Sequence, residues 1–111
     1  DSRLTVKGKI HCEEVLVDLS ITPDYVFQKY YKGYSDLNPE YKMPTLGEVE
    51  AFTELNNHLP NVPSAKDIQE NGLQLKEMTS ILLQKIEELT LYAIEQEKRI
   101  KALETELGKK Q

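Results

Sequence analysis

From Leu75 to Leu107 the apolar residues recur in heptads. With Thr79, Ile86, Ala93, Ile100 and Leu107 at position a, Leu75, Leu82, Leu89, Gln96 and Leu103 fall at d. Eight of these ten positions are apolar, while Glu, Lys, Gln and Arg occupy the outer ones. The spacing predicts one helix across segment 73–108, with Gly108 as its stop, a rod of roughly 50 Å. A lone helix with such a stripe cannot hide it from water, so the pattern calls for partner helices, most simply other copies of the chain.

The remaining chain reads differently. Leu4, Val6, Ile10 and Cys12 alternate with Thr5, Lys7, Lys9 and His11, and Val15, Val17 and Leu19 keep the period of two. Such alternation predicts two or three short half-buried strands in segment 1–22, with Cys12 filling a small core and Pro23 ending the run. Residues 24–42 are Tyr-rich and irregular, a loop with a short helical turn near Tyr25 to Lys29. Thr45 and Glu48 form a capping box for a helix from Leu46 to Asn57, with Leu46, Val49, Phe52 and either Leu55 or Ala51 facing inward. Pro60 and Pro63 force extended backbone between 58 and 63. Ser64 and Asp67 then cap a helix over Ala65 to Glu70, which Asn71-Gly72 stops. The expected fold class is α+β: a short N-terminal β-segment (1–22), a small helical body (23–72) and a C-terminal parallel coiled coil (73–108).

Ile at a with Leu at d favours a parallel dimer, but Met78 and Tyr92 at g and Leu83 at e widen the stripe. Ile81, Leu91 and Ile94 add apolar surface for the body or for neighbouring chains. The wider face favours a homotrimer over a dimer. Arg99 at g and Glu104 at the following e are placed for an interchain ion pair, worth about 0.2–1 kcal/mol and so a selector of register. Gln96 at d, beside small Ala93, is a weak layer that would pair with its symmetry mates. The rival arrangement, an intramolecular bundle, lacks a second helix of comparable length.

At 111 residues the chain has room for one small body plus one long helix. A body of roughly 70 residues sits near the lower limit of independent stability, so association should be part of folding. The net charge of −5, with Lys scattered beside Glu, argues against a nucleic-acid partner. No run of apolar residues is long enough for a membrane span. A single Cys rules out an internal disulfide framework. The opening residue, Asp1, is read as the start of a fragment or mature piece of something longer.

The candidate chemistry is sparse. His11 and Glu13 share a strand face, which an exposed strand explains better than a metal site. His58 is expected to fix the turn with Pro60 and Pro63. Without a second His, a Cys pair or a carboxylate cluster beside it, no catalytic residue, metal ligand or cofactor is expected. Tyr30, Tyr31 and Tyr34 supply either a recognition surface for a host receptor or glycan, or a cover for the small core.

Four strings carry a resemblance: Lys9 to Val15, Pro23 to Phe27, His58 to Ala65, and Glu87 to Tyr92 with Ile94-Glu95-Gln96. Together they are similar to a C-terminal module of Bacteroidetes proteins that ends long phage-tail-fibre-like or cell-surface fibre proteins. The resemblance implies a trimeric tip, an upstream fibre shaft of the same protein as partner, and a place on a virion, an injection machine or the cell exterior. It implies a structural role: trimerising, registering and capping the fibre, and aiding its folding. In placement the module is related to the self-cleaving intramolecular chaperones of tail spikes, which use a Ser-Lys pair. Here Ser35-Asp36 is followed only by Lys42, without the Arg and Ile of that pattern, and in a loop expected to hold nothing rigidly. Self-cleavage is therefore not expected, since a serine needs an amine within reach to lose its proton.

Overall fold

The computed structural model describes residues 2–110 and is all helical: α1 (Tyr25–Lys32), α2 (Leu46–Asn56), α3 (Ala65–Asn71) and α4 (Leu75–Lys110). No strand occurs among the described residues, so the expected α+β class and its N-terminal β-segment are overturned. The alternation between Leu4 and Leu19 was real, but a strand needs a partner to take up its backbone donors and acceptors. The described residues offer none. Leu4, Ile10 and Leu16 are exposed, and Cys12 is an exposed free thiol rather than part of a core.

Helix α1 is longer than the expected turn. Tyr25, Val26, Lys29 and Tyr30 recur at helical spacing, and Gly33 closes the helix in the left-handed conformation at φ 86°, its N–H donating to Lys29 O. Asp24 precedes it at φ 80° with no side-chain cap. Both capping boxes are present, Thr45 with Glu48 on α2 and Ser64 with Asp67 on α3. Asn57 is the left-handed cap of α2 rather than its last residue, and α3 runs one residue beyond Glu70. Helix α4 passes through Gly108 to Lys110, so that glycine is not a stop.

The core lies where α1 and the segment after it cross the upper half of α4. Tyr25, Val26, Tyr41 and Leu91 are buried together, with Phe27, Tyr30, Met43 and Ile94 packed around them. The Tyr25 and Tyr41 rings meet edge to face at 5.1 Å. By contrast α2 and α3 contain no buried residue. Val49 and Phe52 are half-buried while Leu46, Ala51 and Leu55 are exposed, so the expected inward face of α2 is only partly covered. The molecule measures 68 × 32 × 30 Å, its long dimension set by α4.

Candidate functional site

Successive residues advance about 100° around a helix, so positions a, d and e of α4 share one sector, with b, c and f opposite. The body occupies the second sector. Buried Leu91 and Gln84 are at f, Glu87 at b and Glu88 at c. The attachment combines the small apolar core with an array of polar contacts. Tyr25 donates to Gln84 Oε1 at 2.5 Å, Tyr41 to Glu88 Oε2 at 2.5 Å and Tyr30 to Glu95. The backbone N–H of Asp24 donates to Glu87 Oε2 at 2.8 Å, and the Ser80 hydroxyl donates to Ile21 O at 3.3 Å.

Glu88 is the centre of this array. Besides Tyr41 it accepts from Gln84 Nε2 at 3.2 Å and pairs with Lys85 Nζ at 3.2 Å, both ions being largely buried. A buried carboxylate with three donors is tolerable where an unpaired one would be costly. Glu87 is less well served, its Oε1 being buried with no hydrogen bond within the chain. Burial first, and then the neighbouring Glu87 and Glu88, push the Tyr25 phenol above its ordinary value. Burial and the hydrogen bond to Glu88 raise Tyr41 further. Tyr92 is raised by burial as its hydroxyl donates to Pro44 O at 2.5 Å.

Because the body sits on b, c and f, the seam stays open. Leu82 is 48 % exposed, Ile86 58 %, Leu89 64 %, Ile100 51 %, Leu103 64 % and Leu107 62 %. Leu75, Ala93 and Gln96 are also exposed, and Thr79 is half-buried with its hydroxyl donating to Leu75 O. From Leu82 to Leu107 the seam therefore forms an apolar stripe, interrupted at Gln96, that the described residues leave largely uncovered. The flanks are asymmetric. On the g side Lys85 and Tyr92 lie against the body, whereas on the e side Thr90, Glu97 and Glu104 are open. Arg99 and Glu104 are both exposed.

The tyrosines divide. Tyr30 turns inward to Glu95, which raises its phenol through the hydrogen bond, while Tyr31 and Tyr34 face solvent. His58 Nδ1 donates to the carbonyl of Leu59 at 2.9 Å, and its ring meets Phe52 edge to face at 5.3 Å. Pro60 is half-buried and Pro63 exposed in this bend. Ser35 is held firmly, contrary to the sequence expectation. It is buried, donates to Gln28 Oε1 at 2.6 Å and accepts from Asn38 N at 3.0 Å. Its proton is committed to an amide oxygen, and Lys42 is exposed to solvent. Sequence reasoning missed the buried carboxylates Glu87 and Glu88, which accept from the Asp24 N–H and the Tyr41 hydroxyl of a distant segment.

No group of three or more His, Cys, Asp or Glu that could hold a metal ion occurs among the described residues, and no helix there is long and apolar enough to cross a membrane. Comparison with protein-family models, curated proteins and solved structures finds no match.

Proposed function

We propose that the chain is a self-association module in which parallel copies of α4 zip along the a/d stripe, three copies being favoured, to fix the number and register of chains in a longer fibrous protein. The observation that carries this reading is the division of α4 into two faces. Along the upper half of α4 the body covers b, c and f, and the seam from Leu82 to Leu107 is left open. Each seam Leu or Ile keeps about half its surface to bury, worth roughly 1 kcal/mol apiece on association.

Flank chemistry favours a parallel arrangement. In a parallel coil each g residue meets the e residue of the next heptad on its neighbour. The resulting pairs are Met78 with Leu83, Lys85 with Thr90, Tyr92 with Glu97, and Arg99 with Glu104. None sets like charges together. An antiparallel coil matches e with e and g with g instead, and so sets no Arg99 against Glu104.

The fibre context, and with it a place on a virion, injection machine or cell surface, rests on the resemblance of the His58 to Ala65 bend and its companion strings. The physical logic is kinetic as well. Helix pairing is local and fast, so it can align chains before slower long-range pairing upstream.

The test is sedimentation of the wild type and Ile86→Glu at micromolar concentration. We expect a trimer that the substitution dissociates while the monomer stays helical, since Ile86 is already exposed in the single chain. A wild type that sediments as a folded monomer ends the proposal.

A second reading is favoured by the exposure of Tyr31 and Tyr34, which present two aromatic rings to solvent as a receptor or glycan surface. Replacing both by Ala should abolish binding on a glycan array or on host cells without changing the oligomer. An unchanged binding profile removes this reading.

A further inference from the structure

Helix α2 carries apolar residues that its own chain does not cover. Leu46 is 46 % exposed, and no residue of α2 is buried. Yet the helix is not loose, because a capping box starts it, a left-handed Asn57 ends it, and Tyr92 donates to Pro44 just ahead of it. It is an ordered element held beside α4 with its apolar side unfinished.

Its position supplies the reason. Leu46, Val49 and Leu59 line a cleft of about 90 Å³ together with Lys85, Leu89 and Tyr92 of α4. Leu89 is a seam residue, and Lys85 and Tyr92 are at g, so the open side of α2 is continuous with the a/d stripe. On the opposite flank of α4, Thr90, Ala93 and Ile94 line a shallow open depression whose remaining wall is the charged Glu97, Lys98 and Lys101. Nothing of the chain's own body fills it.

These two surfaces lie at matching heights in a parallel, in-register coil. There g meets the following e, so the level of Lys85 and Tyr92 on one chain is that of Thr90 and Glu97 on the next. We infer that α2 is an interchain clamp: it lays Leu46 and Val49 into the depression around Thr90, Ala93 and Ile94 of the adjacent copy. The occupant is a second copy of this chain, and the inference rests on the self-association proposed above. The contact is directional, each α2 gripping the chain on its g side and each e flank receiving the α2 of the other neighbour. The arrangement thus closes into a ring of copies. It also explains why a short body with so small a core keeps an ordered but uncovered helix, whose burial is completed only by assembly.

The experiment uses full chains with Cys12→Ser, one population carrying Leu46→Cys, a second Thr90→Cys and a third Glu104→Cys. Pairs of populations are mixed, refolded together and oxidised, and the heterologous disulfides are quantified by mass. Since the two thiols start on different chains, the 46–90 adduct is intermolecular by construction. We expect it to exceed the 46–104 adduct several-fold, because position 104 lies well below α2. Equal yields of both adducts in an assembly that sedimentation shows to be intact would overturn the clamp and leave the self-association reading standing. Loss of assembly in the unmodified Cys12→Ser chain would overturn both. As a second measurement, Leu46→Asp should weaken association by about tenfold with unchanged monomer helicity, the cost of leaving a half-exposed leucine site unburied. Unaltered association by this variant counts against the clamp.

Discussion

The Tyr41 hydroxyl donates to Glu88 Oε2 across 2.5 Å, joining residues 47 positions apart in the chain. Both are buried, Glu88 to within 2 % of full enclosure. This bond fastens the segment between α1 and α2 to the outer face of α4. Replacing Tyr41 by Phe keeps the edge-to-face ring contact with Tyr25 but removes a donor from a buried carboxylate. We expect a loss of about 1–3 kcal/mol in urea unfolding, the usual cost of stripping a partner from a buried polar group. Unchanged stability would show that Gln84 and Lys85 satisfy Glu88 unaided.

The same phenols make the fold sensitive to alkali. Burial and nearby carboxylates raise Tyr25 and Tyr41 above the ordinary tyrosine value, about 10. Below that pH the phenols keep their protons in both folded and unfolded chains, and their contribution to stability is constant. Above it the unfolded chain releases protons that the folded chain holds, so stability falls as pH rises. A titration by circular dichroism should show loss of structure beginning above about pH 10, with a shallower fall in Tyr41→Phe.

Two residues near each other on α4 should behave in opposite ways. Leu91 has no exposed surface and anchors the core, so Leu91→Ala should cost about 2–5 kcal/mol and loosen the body. Leu89 is 64 % exposed, and Leu89→Glu should leave a helical single chain intact while preventing association. Thermal unfolding together with sedimentation separates the outcomes. If both variants merely unfold, the two-faced account of α4 is wrong.

The capping box of α2 offers a local check. Thr45 Oγ1 accepts from the Glu48 N–H at 3.1 Å, and the Glu48 carboxylate accepts from the Thr45 N–H at 3.0 Å. That backbone hydrogen bond first, and the Thr45 side chain second, hold the Glu48 carboxyl below its ordinary value. Thr45→Ala should destabilise α2 by about 0.5–2 kcal/mol. Hydrogen exchange of α2 amides should quicken in the variant while those of α4 near Leu91 do not, since α2 buries nothing in the single chain.

Local rules were legible in the residues themselves. Heptad spacing marks α4 from Leu75 onward, and the pairs Thr45-Glu48 and Ser64-Asp67 mark the starts of α2 and α3, because caps and stripes are set by neighbours within a turn or two. The same local reading failed between Leu4 and Leu19, where alternation alone cannot make a strand without a second one to pair with. It also undervalued α1, whose Tyr25, Val26 and Tyr30 gain meaning only against Leu91, Gln84 and Glu95, roughly sixty residues away.

Tertiary structure alone decided which side of α4 the body takes. The sequence marks an apolar seam and, apart from it, Ile81, Leu91 and Ile94, but no residue states which of the two the chain will cover itself. Tyrosines that reach carboxylates at c, Tyr41 to Glu88 above all, settled it: a phenol buries its ring and still satisfies a buried acid, which aliphatic seam residues cannot do. The seam was thereby left open to solvent.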